Sequence, residues 1–215
     1  MVELKEIYKK YNETNILNNI NLKIESGNSI AIIGPSGSGK TTLLNIASLL
    51  DTPTSGEILY FGKKIEQHQY TQTRKNFISF VYQQHNLIPE LTILENIEII
   101  SKFKNSYNKE LILDLLNQVG LFEHQHKKPD SLSGGQKQRA SIIRAISCNP
   151  QILFTDEPTG NLDPKSSEII SNLLLSLTKQ QNIALLLITH NIEIAKKCQK
   201  IYTITNETLK EITQP

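Results

Sequence analysis

The chain has 215 residues, 38% of them hydrophobic and 20% charged, with a formal net charge of +2. Such a chain buries its own core as one domain, or one domain with a sizeable lobe, and is not disordered. The charge excess is too small to make nucleic acid the main partner. No stretch approaches the ~20 apolar residues of a membrane helix, so a membrane role has to come through a partner.

The first segment, MVELKEIYKKY, has no apolar run, and no secretory signal is expected from it. Val2, Leu4 and Ile7 open a β-rich third, where Leu22 and Ile24 alternate with Asn21, Lys23 and Glu25 as in a half-buried antiparallel strand. Ser29 to Ile33 is almost continuously apolar, the pattern of a strand buried on both faces. Glu57 to Ile65 reads as a hairpin with its turn at Gly62-Lys63-Lys64, and Ile78 to Tyr82 as a further apolar segment. From Leu91 to Phe122 the apolar spacing is helical, and the polar run Glu123 to Pro129 reads as a surface loop. Ile152 to Phe154 and Ile183 to Ile188 repeat the buried-strand pattern. Three such strands separated by helical stretches predict an α/β fold, a mostly parallel sheet with helices packed on it. Residues 84 to about 145 read as a helical lobe inserted into that core. Cys148 and Cys198 read as free thiols in helical segments.

Gly34-Pro35-Ser36-Gly37-Ser38-Gly39-Lys40-Thr41 matches G-x-x-x-x-G-K-[ST] between the strand ending at Ile33 and a helix with Leu43, Leu44, Ile46 and Ala47. Glycines let backbone N–H groups turn inward around phosphate oxygens, and the helix N-terminus adds partial positive charge. Lys40 supplies a point charge near the β- and γ-phosphates, Thr41 a hydroxyl for Mg²⁺, and Thr42 follows in the same helix turn. The loop points to a nucleotide but not to what its energy drives.

Leu132-Ser133-Gly134-Gly135-Gln136 precedes a helix through Ile143 and Ile146. Ser133 can cap that helix while Gly134 and Gly135 bring N–H groups close to an anion; an ordinary capped Ser-Gly-Gly turn is the plainer alternative. The strand Ile152 to Phe154 runs on through Thr155 into Asp156 and Glu157. Ligands of parallel sheets gather at the carboxyl ends of strands, so Asp156 can reach a Mg²⁺ shell and Glu157 can orient and deprotonate a water. Gln83 and His190 end two further apolar segments at the same edge. Tyr11 can stack on a base, with a plain surface or core position as the alternative.

Taken together, the P-loop, Gln83, LSGGQ at Leu132 to Gln136, Asp156-Glu157, Asn161-Leu162-Asp163 and His190 come in the order of ABC-transporter ATPases, which the chain resembles from Tyr11 to its end. The stretches Asp156 to Asp163 and Val81 to Ile97, with Pro53 to Glu57, are similar to those of the lipoprotein-release and macrolide-efflux subgroup. The resemblance implies the family's fold: a P-loop core, an antiparallel β subdomain and an inserted helical subdomain. It implies ATP and Mg²⁺ as cofactors. Tyr11 stacks on adenine; Thr41 and Gln83 ligate Mg²⁺, with Asp156 acting through water. Glu157 is the general base, and His190 contacts the γ-phosphate. Ser133, Gly134, Gly135 and Gln136 close on ATP held by a second subunit, and Asp163 lies at the dimer seam. The implied partners are a second cassette and transmembrane permease subunits, with the chain peripheral on the cytoplasmic face of the membrane. Permease docking is expected at the segment after Gln83, around Leu87, Ile88, Leu91 and Ile93, with a core position of Leu87 and Ile88 in the helical lobe as the alternative. Thr155 departs from the family's apolar or small residue, and its hydroxyl is expected to bond nearby backbone. With Pro215 soon after His190, the added regulatory domain of some importer cassettes is not expected.

Two other functions share these residues. One is a non-transport ABC ATPase acting on DNA or ribosomes; it lacks support because no coiled-coil insertion or second cassette is present. The other is an ATP-gated cassette that regulates a cell-envelope or cell-division partner.

Overall fold

Strand β1 (Val2–Tyr11) turns at Asn12, whose φ of 52° is left-handed, and pairs antiparallel with β2 (Thr14–Ile24). Next come β3 (Ser29–Ile33), α1 (Lys40–Ala47), β4 (Ser55–Tyr60), β5 (Lys63–Lys64), α2 (Tyr70–Phe77) and β6 (Ile78–Tyr82). The helical stretch holds α3 (Ile93–Phe103), α4 (Lys109–Gln118) and α5 (Gly134–Ile146). The chain then runs through β7 (Ile152–Asp156), α6 (Pro164–Gln180), β8 (Ala184–Ile188), α7 (Ile192–Ala195), β9 (Lys200–Thr205) and β10 (Thr208–Ile212). This computed structural model describes residues 1–212; the last three positions of the expected 1–215 domain, Pro215 among them, lie outside the described residues.

Two sheets result, β2-β1-β4-β5 and β10-β9-β3-β8-β7-β6. The first is antiparallel; in the second every pairing is parallel except β9 with β10. Alternation along the central strands divides the core into two layers. Ile30, Ile32, Ile152, Phe154 and Leu186 face α1 and the antiparallel sheet. Ala31, Leu153, Leu185 and Leu187 face the helical side, with Ile97, Leu115, Ile143 and Leu174. This double burial is what continuously apolar strands require.

Four expectations need correction. The hairpin turns at Phe61-Gly62, where φ is 53° and 76°; two consecutive left-handed residues match the twist of the flanking strands, and Lys63 and Lys64 are already paired. The helical run from Leu91 to Phe122 is broken: Asn105 turns left-handed (φ 57°) and the Asn108 side chain accepts from Leu111 N to cap α4. The polar run Glu123 to Pro129 includes parts of two short 3₁₀ turns, Phe122–His124 and Pro129–Ser131. Cys148 and Cys198 form no disulfide and are buried, but they sit just past α5 and α7; burial pushes both thiols up, Cys198 to about 11.

Candidate functional site

Strand register builds the site. Tyr82, Asp156 and Ile188 stand level across β6, β7 and β8, so the residues that follow each of them emerge at one edge of the sheet. The loop after β3, a neighbour of β8, emerges there too. In that loop a Cβ on Gly34 (φ 151°) would lie 2.8 Å from the Ile204 carbonyl, and one on Gly39 (φ 96°) 3.0 Å from the Ile16 carbonyl. Only glycine meets both the backbone angle and the space. Gly39 is the residue that caps the start of α1. Lys40, 8% exposed, donates to the carbonyls of Gly34 (3.0 Å) and Pro35 (2.8 Å). It has no carboxylate within ion-pair distance among the described residues. Ser38 Oγ is buried with no hydrogen-bond partner. A buried cation on neutral carbonyls beside an unpaired hydroxyl is the complement of a polyphosphate.

Opposite the loop, Thr41 Oγ1 donates to Asp156 Oδ2 at 3.2 Å. Burial raises the Asp156 carboxyl above its ordinary range; the Thr41 bond opposes this and the neighbouring Glu157 adds to it. Glu157 itself is left-handed (φ 46°), its N–H still donating to the Ile188 carbonyl at 3.0 Å. Such a conformation is uncommon outside glycine and marks a site where the chain is held against its preference. It turns the carboxylate out of the strand line, and Oε2 lies 3.2 Å from His190 Nδ1. Gln83 Nε2 donates to Asn161 Oδ1 at 3.0 Å.

Two adjoining cavities share Thr41 and Glu157. One, of about 420 Å³, is lined by Gly34, Ser36, Gly37, Gly39, Lys40, Thr42 and His190, with Ile16 at its side. The other, of about 470 Å³, is lined by Tyr82, Gln83, Gln84, Asn86 and Asp156. Thr41, Gln83 and Asp156 offer only oxygen donors of the hard type that Mg²⁺ prefers. No cluster of three or more His, Cys, Asp or Glu suited to a metal occurs among the described residues. Mg²⁺ held by one carboxylate together with substrate phosphates needs no such cluster.

The remaining expected residues lie elsewhere. Ser133 and Gln136 line neither cavity; they form a reciprocal cap on α5, with Gln136 N donating to Ser133 Oγ (3.3 Å) and Ser133 N to Gln136 Oε1 (2.9 Å). A Cβ on Gly135 would meet nothing within 4 Å, so this glycine faces open space, while one on Gly134 would reach Leu162 at 3.5 Å. Asp163 caps α6 through Ser166 N (3.0 Å). Tyr11 ends β1, half exposed. The Thr155 hydroxyl, expected to bond backbone, is buried without a partner. β7 pairs with strands on both sides, so its neighbours' backbone groups are already committed to the ladders. Sequence reasoning missed Asn161 as the partner of Gln83, Gly160 packed against Gln83 and Glu157, and Ile16 beside the loop. Spacing carries no signal for contacts of this length.

A phosphate loop and an acid pair at the carboxyl edge of a parallel sheet define a P-loop nucleotide hydrolase. The family profile described as ABC transporter matches residues 17–160. The lipoprotein-releasing system ATP-binding protein LolD of Rickettsia bellii is 40% identical over 216 residues, 97% of either chain. The dimeric structure of MJ0796, described as a bacterial ABC transporter cassette, is 37% identical, covers 100% of both chains and has a TM-score of 0.85. The same cassette in a post-hydrolysis state bound to ADP and Pi matches with a TM-score of 0.85. The chain therefore belongs to the ABC transporter family as its ATP-binding, ATP-hydrolysing subunit. No helix among the described residues is long and apolar enough to cross a membrane.

Proposed function

We propose that the chain hydrolyses Mg-ATP at two composite sites in a dimer of cassettes and that this drives a membrane permease. One observation carries the reading: Lys40, Thr41, Asp156, Glu157 and His190 gather around two adjoining cavities, while residues 133–136 line neither. A loop displayed apart from its own site suits the ATP of a second subunit. Loop amides and Lys40 hold the β- and γ-phosphates. Thr41, Gln83 and Asp156 would hold Mg²⁺, which when bound would neutralise charge on the phosphate oxygens. Glu157 orients the attacking water and takes its proton, and the hydroxide attacks the γ-phosphorus as the bond to the β–γ bridging oxygen breaks and ADP leaves with that electron pair. His190 steadies that carboxylate and reaches the γ-phosphate. Ser133, Gly134, Gly135 and Gln136 offer a hydroxyl and a helix N-terminus across the dimer. The Ser133 cap uses only a lone pair, so its O–H stays free to donate. Asp163 sits at the seam, and Tyr11 stacks on the base.

Residues 84–145 act as the helical subdomain, and the permease holds the chain on the cytoplasmic face. Its seat spans the exposed Ile88, in the loop after Gln83, and the cleft of about 490 Å³ with Leu50, Phe80, Tyr82, Ile100 and Phe103 on its walls. Arg144, also on that wall, donates to the carbonyls of His85 and Asn86, which joins the cleft to the loop carrying Gln83. By likeness to the LolD relative, the task assigned is lipoprotein release.

Glu157→Gln tests the chemistry. Hydrolysis should fall about 10²–10⁴-fold, with ATP binding kept and an ATP-bound dimer seen on sizing chromatography. Normal hydrolysis by this variant overturns the assignment. Reconstitution with the membrane subunit in vesicles carrying a labelled lipoprotein tests the task; ATP turnover without release refutes it.

A further inference from the structure

We infer that Asp51 and Lys9 are a positioning pair that fixes the ring of Tyr11 as a preformed platform for the nucleotide base; this rests on the stacking role proposed for Tyr11. A tyrosine 48% exposed at the end of a strand would ordinarily sample several rotamers. Here its hydroxyl donates to Asp51 Oδ2 at 2.6 Å. Asp51 is itself held, because its Oδ1 accepts from Lys9 Nζ (2.8 Å) and from Thr52 N (2.7 Å). Lys9 is only 7% exposed, and its Nζ also donates to the Thr52 carbonyl at 2.7 Å.

Lys9 and Tyr11 are two residues apart on β1, so their side chains leave the same face. Lys9 Nζ stands 4.7 Å from the centroid of the Tyr11 ring. One face of the ring is covered by that cation, which leaves the other for a base. Asp51 follows α1, the helix that begins in the phosphate loop, and its N–H donates to the Asn45 carbonyl within that helix. The ring is therefore tied to the element that holds the phosphates. Burial raises the Asp51 carboxyl, but the bonds from Lys9 and Tyr11 outweigh it and keep the group below its ordinary range. It remains a charged acceptor at neutral pH. Orientation fixed by the fold need not be supplied by the nucleotide on binding.

Equilibrium binding to the full chain separates this from a plain staple between β1 and the segment after α1. The probes are ATP and inorganic tripolyphosphate, which has no base. Tyr11→Phe keeps the ring and the Lys9–Asp51 pair but loses the anchor. It should weaken ATP about 2–12-fold, the effect of freeing one side chain, and leave tripolyphosphate unchanged. Asp51→Asn should act in the same direction, with thermal melting confirming its fold. Tyr11→Ala should weaken ATP at least as much as Tyr11→Phe. If Tyr11→Phe binds ATP like the parent while Tyr11→Ala does not, stacking stands and positioning is wrong. If Tyr11→Ala also binds normally, the stacking role fails and takes the inference with it. Equal loss of ATP and tripolyphosphate would place the effect in the phosphate loop and overturn the inference as well.

Discussion

Gly160 offers a way to move Gln83 without mutating it. A Cβ built on Gly160 would stand 2.6 Å from Gln83 Nε2, 3.1 Å from its Cδ and 3.4 Å from Glu157 Oε2. Ordinary contact begins at 3.4 Å, so Gly160→Ala must push the Gln83 amide back by about 0.8 Å. The atom that yields is the end of a flexible side chain, so stability should change by no more than about 0.5 kcal/mol. The retreat strains or breaks the 3.0 Å bond from Gln83 to Asn161. Misplacing a positioning group by about 1 Å costs up to about 10²-fold in rate. Steady-state phosphate release with saturating Mg-ATP should therefore fall about 10- to 100-fold at unchanged melting temperature and near-normal ATP binding. The double variant with Gln83→Ala should be no worse than Gln83→Ala alone, because the clash has lost its partner. A Gly160→Ala chain that hydrolyses at the parent rate would show that the position of Gln83 does not matter to turnover.

Asp156→Asn should raise the melting temperature of the nucleotide-free chain at pH 7 while abolishing Mg-dependent hydrolysis. A carboxyl whose folded pKa is raised holds its proton more tightly when folded, so its charge opposes folding at pH above that pKa; the penalty vanishes as pH falls below the unfolded value near 3.8. The gain should accordingly shrink in acid, and a gain that grows there refutes the argument. Ser133→Ala removes the α5 cap at a cost of about 1 kcal/mol in thermal unfolding. ATP binding by the monomer should be untouched and hydrolysis by the dimer reduced; weaker monomer binding would contradict the trans role. Leu87 packs against the core, whereas Ile88 is 37% exposed. Leu87→Asp should thus lower the melting temperature, while Ile88→Asp stays folded and sediments less with membranes bearing the permease; normal sedimentation would remove Ile88 from the docking surface.

Much of the site was legible because its parts are local. Residues 34–41 set a loop by backbone angles that only glycine accepts, and Ser133 with Gln136 caps a helix across one turn. The buried strands declared themselves by apolar runs, since a strand covered on both faces has little place for polar residues, Thr155 in β7 being an exception. The β9–β10 hairpin went unread, and Ile93, grouped by sequence with the docking segment, is wholly buried at the start of α3. The cleft instead takes its walls from Leu50, Phe80 and Phe103, which no local pattern unites.

The amino-acid sequence by itself determined the loop, the caps, the order of strands and helices, and which residues bear charge or glycine freedom. All of these follow from forces acting within a few residues of chain. Only the tertiary structure decided that Asn161 holds Gln83, that Gly160 crowds it, that Asp51 and Lys9 pin Tyr11, and that Thr155 is buried without a partner. Those contacts depend on strand register and helix docking, which are set by surfaces that distant segments bury together, and one residue of slip would exchange every face.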